Sequence, residues 1–259
     1  MSETMNRRTF SSVLAAGVAT SAFGARAEAQ AAVSARNVVF VHGLYADGSC
    51  WSEVIDRLRP IGIRTTSVQN ALRTFADDVA SARRALDAQD GPTVLVAHSY
   101  SGMIASQVGV HPNVSAIVYV AARAPDAGED YATLAARFPT APAGAGLIVT
   151  DGFAVLGETA FLNDFANGVD PAKAHLLYAV QASNATSLTN VRTTAAAWRS
   201  KRTWYAVSLQ DRTINPQLER YMAARMKATT IELDSGHLSL VSHPQEIANL
   251  ILSAAGQRS

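Results

Sequence analysis

Cysteine is nearly absent from this chain: Cys50 is the one such residue in 259. That excludes an intrachain disulfide and any site built from several thiolate ligands. Charge of either sign is scarce too, at 17% of residues, and 22 Lys and Arg nearly cancel 21 Asp and Glu, leaving a formal net charge of +1. No run of Lys and Arg interrupts that balance. Nothing in it favours nucleic acid or an anionic membrane as a partner. There is no internal repeat, and beyond the first thirty residues no low-complexity segment. Hydrophobic residues make up 48% of the chain, a globular composition with enough length for one large α/β domain and a modest insertion.

The N-terminus reads differently from the rest. Arg7 and Arg8 stand together, an uncharged small-residue stretch runs from Val13 to roughly Gly24, and Ala25-Arg26-Ala27 and Ala27-Glu28-Ala29 follow as A-x-A signals. This is the layout of a secretory leader of the twin-arginine type. The stretch is too short and too rich in Ala, Ser and Gly for a good membrane span. The expectation is a removed leader at 1–31, a mature domain at 32–259, a periplasmic or secreted location, and no stable membrane insertion once the leader is gone.

From there, short apolar runs alternate with amphipathic segments. Val38–Val41, Ile63–Val68, Val94–Ala97, Ala116–Ala121, Thr203–Leu209 and Thr229–Leu233 suit strands, several of them apolar throughout, as in a parallel sheet covered on both faces. Trp51–Leu58 reads as a helix stopped by Pro60. Phe75, Val79, Ala82 and Leu86 share one helix face behind a Thr74/Asp77 capping pair. Asn215-Pro216 opens another helix, and Ile247, Leu250, Ile251 and Ala254 stripe a closing one. The rhythm breaks at about 125–198, where helical candidates are Tyr131–Phe138, Ala160–Asn167 and Pro171–Ser183. The expected architecture is an α/β, doubly wound, mostly parallel sheet with right-handed crossovers and a small helical cap.

The segment Ala97-His98-Ser99-Tyr100-Ser101-Gly102 lies between a strand and a helix. That is where a sharp turn can hold a serine hydroxyl outward as a nucleophile. The turn needs small residues two before and two after the serine. Ala97 and Ser101 meet the requirement in place of the usual glycines, while an ordinary strand–turn–helix with a surface serine is the plainer alternative. A serine hydroxyl needs a base, and His237, in Ser235-Gly236-His237 after the last strand, has the right place in chain order. His243 and His111 adjoin prolines, His175 has no motif around it, and His42 and His98 are tied to backbone turns. An acid must orient the base; Asp211, directly after a strand end, is preferred over Asp126, and Asp234 is too close to His237 in sequence. Two N–H donors must hold an oxyanion: Tyr100, next after the serine, and Leu44, after His42-Gly43.

Val41-His42-Gly43-Leu44, Ala97–Gly102, Gln210-Asp211-Arg212-Thr213 and Ser235-Gly236-His237 together resemble the α/β-hydrolase superfamily across nearly the whole mature length. Within it the chain is similar to small-capped carboxylesterases, plant methyl esterases and hydroxynitrile lyases. The resemblance implies carboxylic ester hydrolysis with no metal or organic cofactor, acting on a small-molecule ester. Tyr45, Leu44 and Tyr100 neighbour the motifs and are expected to line the pocket, with Tyr45 contacting substrate. A cap poor in charge suggests a small to medium, largely apolar substrate. Two other functions stay open: a lyase using the same three residues as a base, and a ligand-binding protein that keeps the fold without turnover. The sequence leaves oligomeric state open.

Overall fold

The computed structural model describes Met1 and residues 34–257. Residues 2–33, which carry nearly all of the expected leader, lie outside the described residues.

The chain runs β1 (Asn37–Val41), α1 (Ser52–Leu58), β2 (Arg64–Val68), α2 (Phe75–Asp87), β3 (Thr93–His98), α3 (Ser101–Val108) and β4 (Val114–Val120). An insertion follows with α4 (Tyr131–Ala135), β5 (Leu147–Thr150), β6 (Phe153–Leu156), α5 (Glu158–Ala160), α6 (Pro171–Ala179) and β7 (Asn184–Ala185). The chain then returns through β8 (Arg202–Ser208), α7 (Pro216–Arg225), β9 (Thr229–Leu233), α8 (Ser239–Ser242) and α9 (Pro244–Ala254). Six strands form one parallel sheet in the order β2-β1-β3-β4-β8-β9. All of β1 and β3 is buried, and β4 is buried save for half-buried Ser115. Apolar side chains on both faces of these central strands are therefore covered by helices, which is why their sequences lack alternation. This is the expected α/β architecture.

Strand order sets the place for a site. From β1 the chain crosses to β2 on one side, then returns to β3 on the other. The loops leaving β1 and β3 therefore diverge and open a crevice at the strands' carboxyl ends. His42-Gly43 and Ser99 occupy those two loops.

The insertion contains the expected helices, though shorter: α4 ends at Ala135 and α6 at Ala179. The middle candidate is a single turn followed by a π-helical turn at Phe161–Phe165. It also holds a three-stranded antiparallel sheet, β5-β6-β7, that the helical reading of this region missed. Asp151 and Gly152 join β5 to β6 with φ of 49° and 80°, the left-handed pair that a tight hairpin turn requires.

Candidate active site

Ser99 is the residue immediately after β3 and has φ of 57°. A non-glycine residue held there is strained, and such strain survives only where the surroundings enforce it. They do. The Ser99 N–H donates to the Val120 carbonyl at 3.2 Å, and its own carbonyl accepts from Gly102 at 3.1 Å and Arg123 at 2.9 Å. A side chain at Gly102 would place its Cβ 2.0 Å from the Arg123 carbonyl oxygen, and one at Gly43 would lie 2.7 Å from the Ser99 Cβ. The close approaches demanded by the turn thus fall on Gly102 and Gly43. Ser101 is fully buried and uses its hydroxyl as a brace, accepting from the His98 N–H at 2.9 Å and donating to the Val41 carbonyl at 2.7 Å. That bond ties the end of β1 to the turn after β3.

His237 follows β9 by four residues and is wholly buried. Its Nδ1–H donates to Asp211 Oδ2 at 2.6 Å. Asp211 Oδ1 accepts the N–H groups of Thr213 at 2.6 Å and Ile214 at 2.9 Å. Both carboxylate oxygens are thus engaged, and the imidazole tautomer is fixed with Nε2 bare. His237 Nε2 is buried without a hydrogen-bond partner among the described residues. Aromatic rings wall the His237 imidazole: Phe165 at 5.3 Å and His98 at 4.6 Å between ring centres. His98 Nε2–H donates to the His237 carbonyl at 3.1 Å, so the residue before Ser99 also holds the His237 backbone. Burial, then the neighbouring His237, hold the His98 imidazole well below its ordinary pKa, so it stays neutral.

Sequence reasoning missed Glu219, on α7 behind Asp211. It is fully buried, and its Oε2 accepts from the Ser208 N–H at 3.0 Å. Burial and the negative charge of Asp211 push its carboxyl well above the ordinary range. Its Oε1 meets no N–H or O–H donor among the described residues, and its carboxyl neighbours that of Asp211. Protonated, Glu219 can donate to that carboxylate as a carboxylic acid. A glutamate on the polar side of a helix carries no mark in sequence that it turns inward.

The proposed oxyanion donors occupy the crevice loops. Leu44 and Tyr100 are buried, and neither N–H has an acceptor among the described residues. His42 shapes the first loop: its Nε2 accepts from Asn70 N–H at 2.9 Å while Nδ1–H donates to the Gly43 carbonyl at 2.9 Å.

Tyr45, with φ of 60°, lines a small cavity with Cys50, Phe161, Phe165, Leu177 and Leu238. Its free volume is about 10 Å³, room for about one water. The Tyr100 side chain does not reach this cavity as expected. It is buried beneath the turn, its hydroxyl donating to Asp78 Oδ2 at 3.1 Å. Phe165 and Leu238 were not anticipated as lining; Leu238 adjoins His237 and could have been. The rival residues are engaged elsewhere. Asp126 pairs with Arg199, Asp234 accepts from Gln210, His111 meets Asp87, His175 lies near Glu158, and His243 contacts Ser242. Among the described residues, no group of three or more His, Cys, Asp or Glu is arranged to hold a metal, and no helix is long and apolar enough to cross a membrane.

A family model described as the alpha/beta hydrolase family matches residues 38–250. The chain belongs to the alpha/beta hydrolase family. No curated protein matches the sequence. Among solved structures, this family member is similar to polyneuridine aldehyde esterase, with a TM-score of 0.71 and 16% identity over 84% of this chain and 98% of that one. A pyrethroid hydrolase from Sphingobium faniae JZ-2 gives 0.68 and 18%, over 85% and 97%. An extracellular alpha/beta-hydrolase from a Paenibacillus species, described as sharing structural and functional homology with tobacco salicylic acid binding protein 2, gives 0.70 and 19%, over 85% and 99%. At these identities the likeness is one of fold.

Proposed function

We propose that this α/β-hydrolase is a serine carboxylesterase, with Ser99 as nucleophile, His237 as general base and acid, and Asp211 as its orienting partner. The observation that carries the reading is the buried His237–Asp211 pair, which leaves Nε2 bare at the crevice where the strained Ser99 turn emerges. Nε2 accepts the Ser99 proton as Oγ attacks the ester carbonyl. The oxyanion is received by the Leu44 and Tyr100 N–H groups. Collapse expels the alcohol, protonated by His237, and leaves an acyl-Ser99. Water then attacks, giving its proton to Nε2, and the carboxylic acid departs as Ser99 regains its hydrogen. The cavity of Tyr45, Phe161, Phe165 and Leu177 supplies an apolar place for part of the substrate. The names of the similar proteins, two esterases or hydrolases of small molecules among them, support ester hydrolysis. Export through a leader at 1–31 belongs to the same proposal and rests on the sequence.

The test pairs a fluorophosphonate probe with p-nitrophenyl esters of increasing acyl length, on wild type and Ser99→Ala. Covalent labelling at Ser99, with turnover lost in the variant, is expected. Full turnover in Ser99→Ala would refute the mechanism. Labelling without ester turnover would favour a lyase, and binding with neither would favour a ligand-binding protein.

A further inference from the structure

Ester hydrolysis needs more room than the crevice holds. His237 is wholly buried, Nε2 included, and Ser99 keeps 6% of its surface. The cavity bounded by Tyr45 and by Leu238, next to His237, has space for about one water. A wall must therefore give way. Phe165, whose ring packs on the His237 imidazole, and Phe161, 5.0 Å from Phe165 between ring centres, form part of that wall. Both lie on the π-helical turn Phe161–Phe165, a rare geometry that recurs at functional sites. The turn's backbone bonds are local: Phe161 N–H donates to the Gly157 carbonyl, Ala166 to Phe161 and Val169 to Ala166. Among the described residues, two side-chain bonds tie residues 158–168 to the catalytic loops. Asp164 Oδ1 accepts from Arg212 Nε at 2.6 Å, and Asn167 Nδ2 donates to the Gln210 carbonyl at 2.8 Å. Arg212 and Gln210 flank Asp211. The segment is seated closely as well, since a Cβ at Gly236 would lie 2.1 Å from the Asn167 carbonyl oxygen.

We propose that Asp164 and Asn167 set the size of ester this enzyme accepts, by holding the Phe161–Phe165 turn down beside His237. The inference rests on the serine esterase reading and narrows it to esters of short acyl groups. A short acyl group needs only a small displacement of the two rings. A long one needs the turn lifted, and lifting it breaks both side-chain bonds. Those bonds therefore add to the barrier for long chains and little to that for short ones, which is discrimination by differential cost. Neither residue touches the cavity, so the selectivity is exerted from outside the pocket. One of the two bonds is ionic. The Asp164 side chain is 14% exposed and that of Arg212 51%, so salt reaches the pair and weakens it. Gly168, with φ of 79°, ends the segment in a left-handed bend that a glycine adopts without strain, a suitable point for the turn to pivot.

The experiment compares kcat/KM for p-nitrophenyl acetate and p-nitrophenyl hexanoate in wild type, Asp164→Ala and Asn167→Ala. The acetate is expected to be the better substrate of wild type, and each variant should raise the hexanoate-to-acetate ratio by about 2- to 10-fold. Added salt should raise the ratio in wild type more than in Asp164→Ala. The readout is a gain on one ester, which damage to the catalytic loops, lowering both rates, does not imitate. An unchanged ratio, equal losses on both esters, or a wild type that prefers the hexanoate would overturn the proposal. Hydrogen exchange on the full chain provides a measure that needs no turnover: amides of 161–169 should exchange faster in both variants, with those of β3 and α3 unchanged. If wild type hydrolyses neither ester, the esterase reading fails and exchange alone decides whether the two bonds hold the turn. Exchange equal to wild type in both variants would show that they do not.

Discussion

At the residue scale, the site is a chain of single-proton decisions. Asp211 holds His237 in the tautomer that leaves Nε2 bare, so Asp211→Asn, which can stabilise the opposite tautomer, should lower kcat by about 10³- to 10⁴-fold while leaving fluorophosphonate-accessible fold intact by circular dichroism. Glu219 stands behind that carboxylate as a neutral acid. Glu219→Gln keeps a donor toward Asp211 and should retain most activity, because an amide N–H replaces the acid O–H. Glu219→Leu removes the donor and strands the Ser208 N–H, so kcat should fall while KM moves little. Equal losses in the two variants would mean that Glu219 serves only packing.

The residues proposed to carry the chemistry could be picked out in sequence because each follows a strand end, where a fixed chain order applies. The second layer was not. Glu219 lies in a helix whose charged pattern reads as solvated, and the inward turn of Tyr100 depends on Asp78, twenty-two residues earlier on another helix. No local pattern encodes a partner that tertiary folding supplies.

At the element scale, the turn between β3 and α3 shows how a motif can be kept while its letters change. Ser101 occupies a position where glycine is usual, yet its hydroxyl bonds both β1 and the turn. Restoring glycine there should therefore weaken the protein: Ser101→Gly is expected to cost about 1–3 kcal/mol by urea denaturation. The space constraint has moved one residue on. Gly102→Ala, whose Cβ would meet the Arg123 carbonyl, should cost at least about 3 kcal/mol. Gly91→Ala, with open space around it, should shift stability by under about 1 kcal/mol. The insertion shows the opposite outcome for sequence reading. Leu147–Thr150 and Phe153–Leu156 are four-residue runs, too short for a period to declare itself. The Asp151-Gly152 pair between them was the available hairpin signal, and it is the feature that decides strand over helix here.

At the scale of the whole molecule, buried histidines couple stability to pH. His98 and His42 both have imidazoles held below 6.5 chiefly by burial. Below pH 6.5 the unfolded chain takes up protons that the folded chain refuses, so this contribution to stability falls as pH falls. Glu219 acts oppositely, since its raised carboxyl binds a proton in the fold that the unfolded chain releases above about 4.5. The clean quantity is a difference. Below pH 6.5, the stability of His98→Gln should fall less steeply with acid than that of wild type, by about 1.4 kcal/mol per pH unit. Denaturation midpoints at pH 7.5, 6.5 and 5.5 measure it, and parallel curves would refute the assignment.

The cavity beside Tyr45, with room for about one water, bears on which second nucleophile finishes the reaction. Once an acyl group fills that volume, solvent reaches Ser99 at far below its bulk abundance. Water then loses the concentration advantage that normally secures hydrolysis over alcoholysis. With methanol added at a few per cent, the proposed acyl-Ser99 intermediate should partition measurably toward methyl ester, and the ratio of ester to acid in the products reports how dry the occupied pocket is.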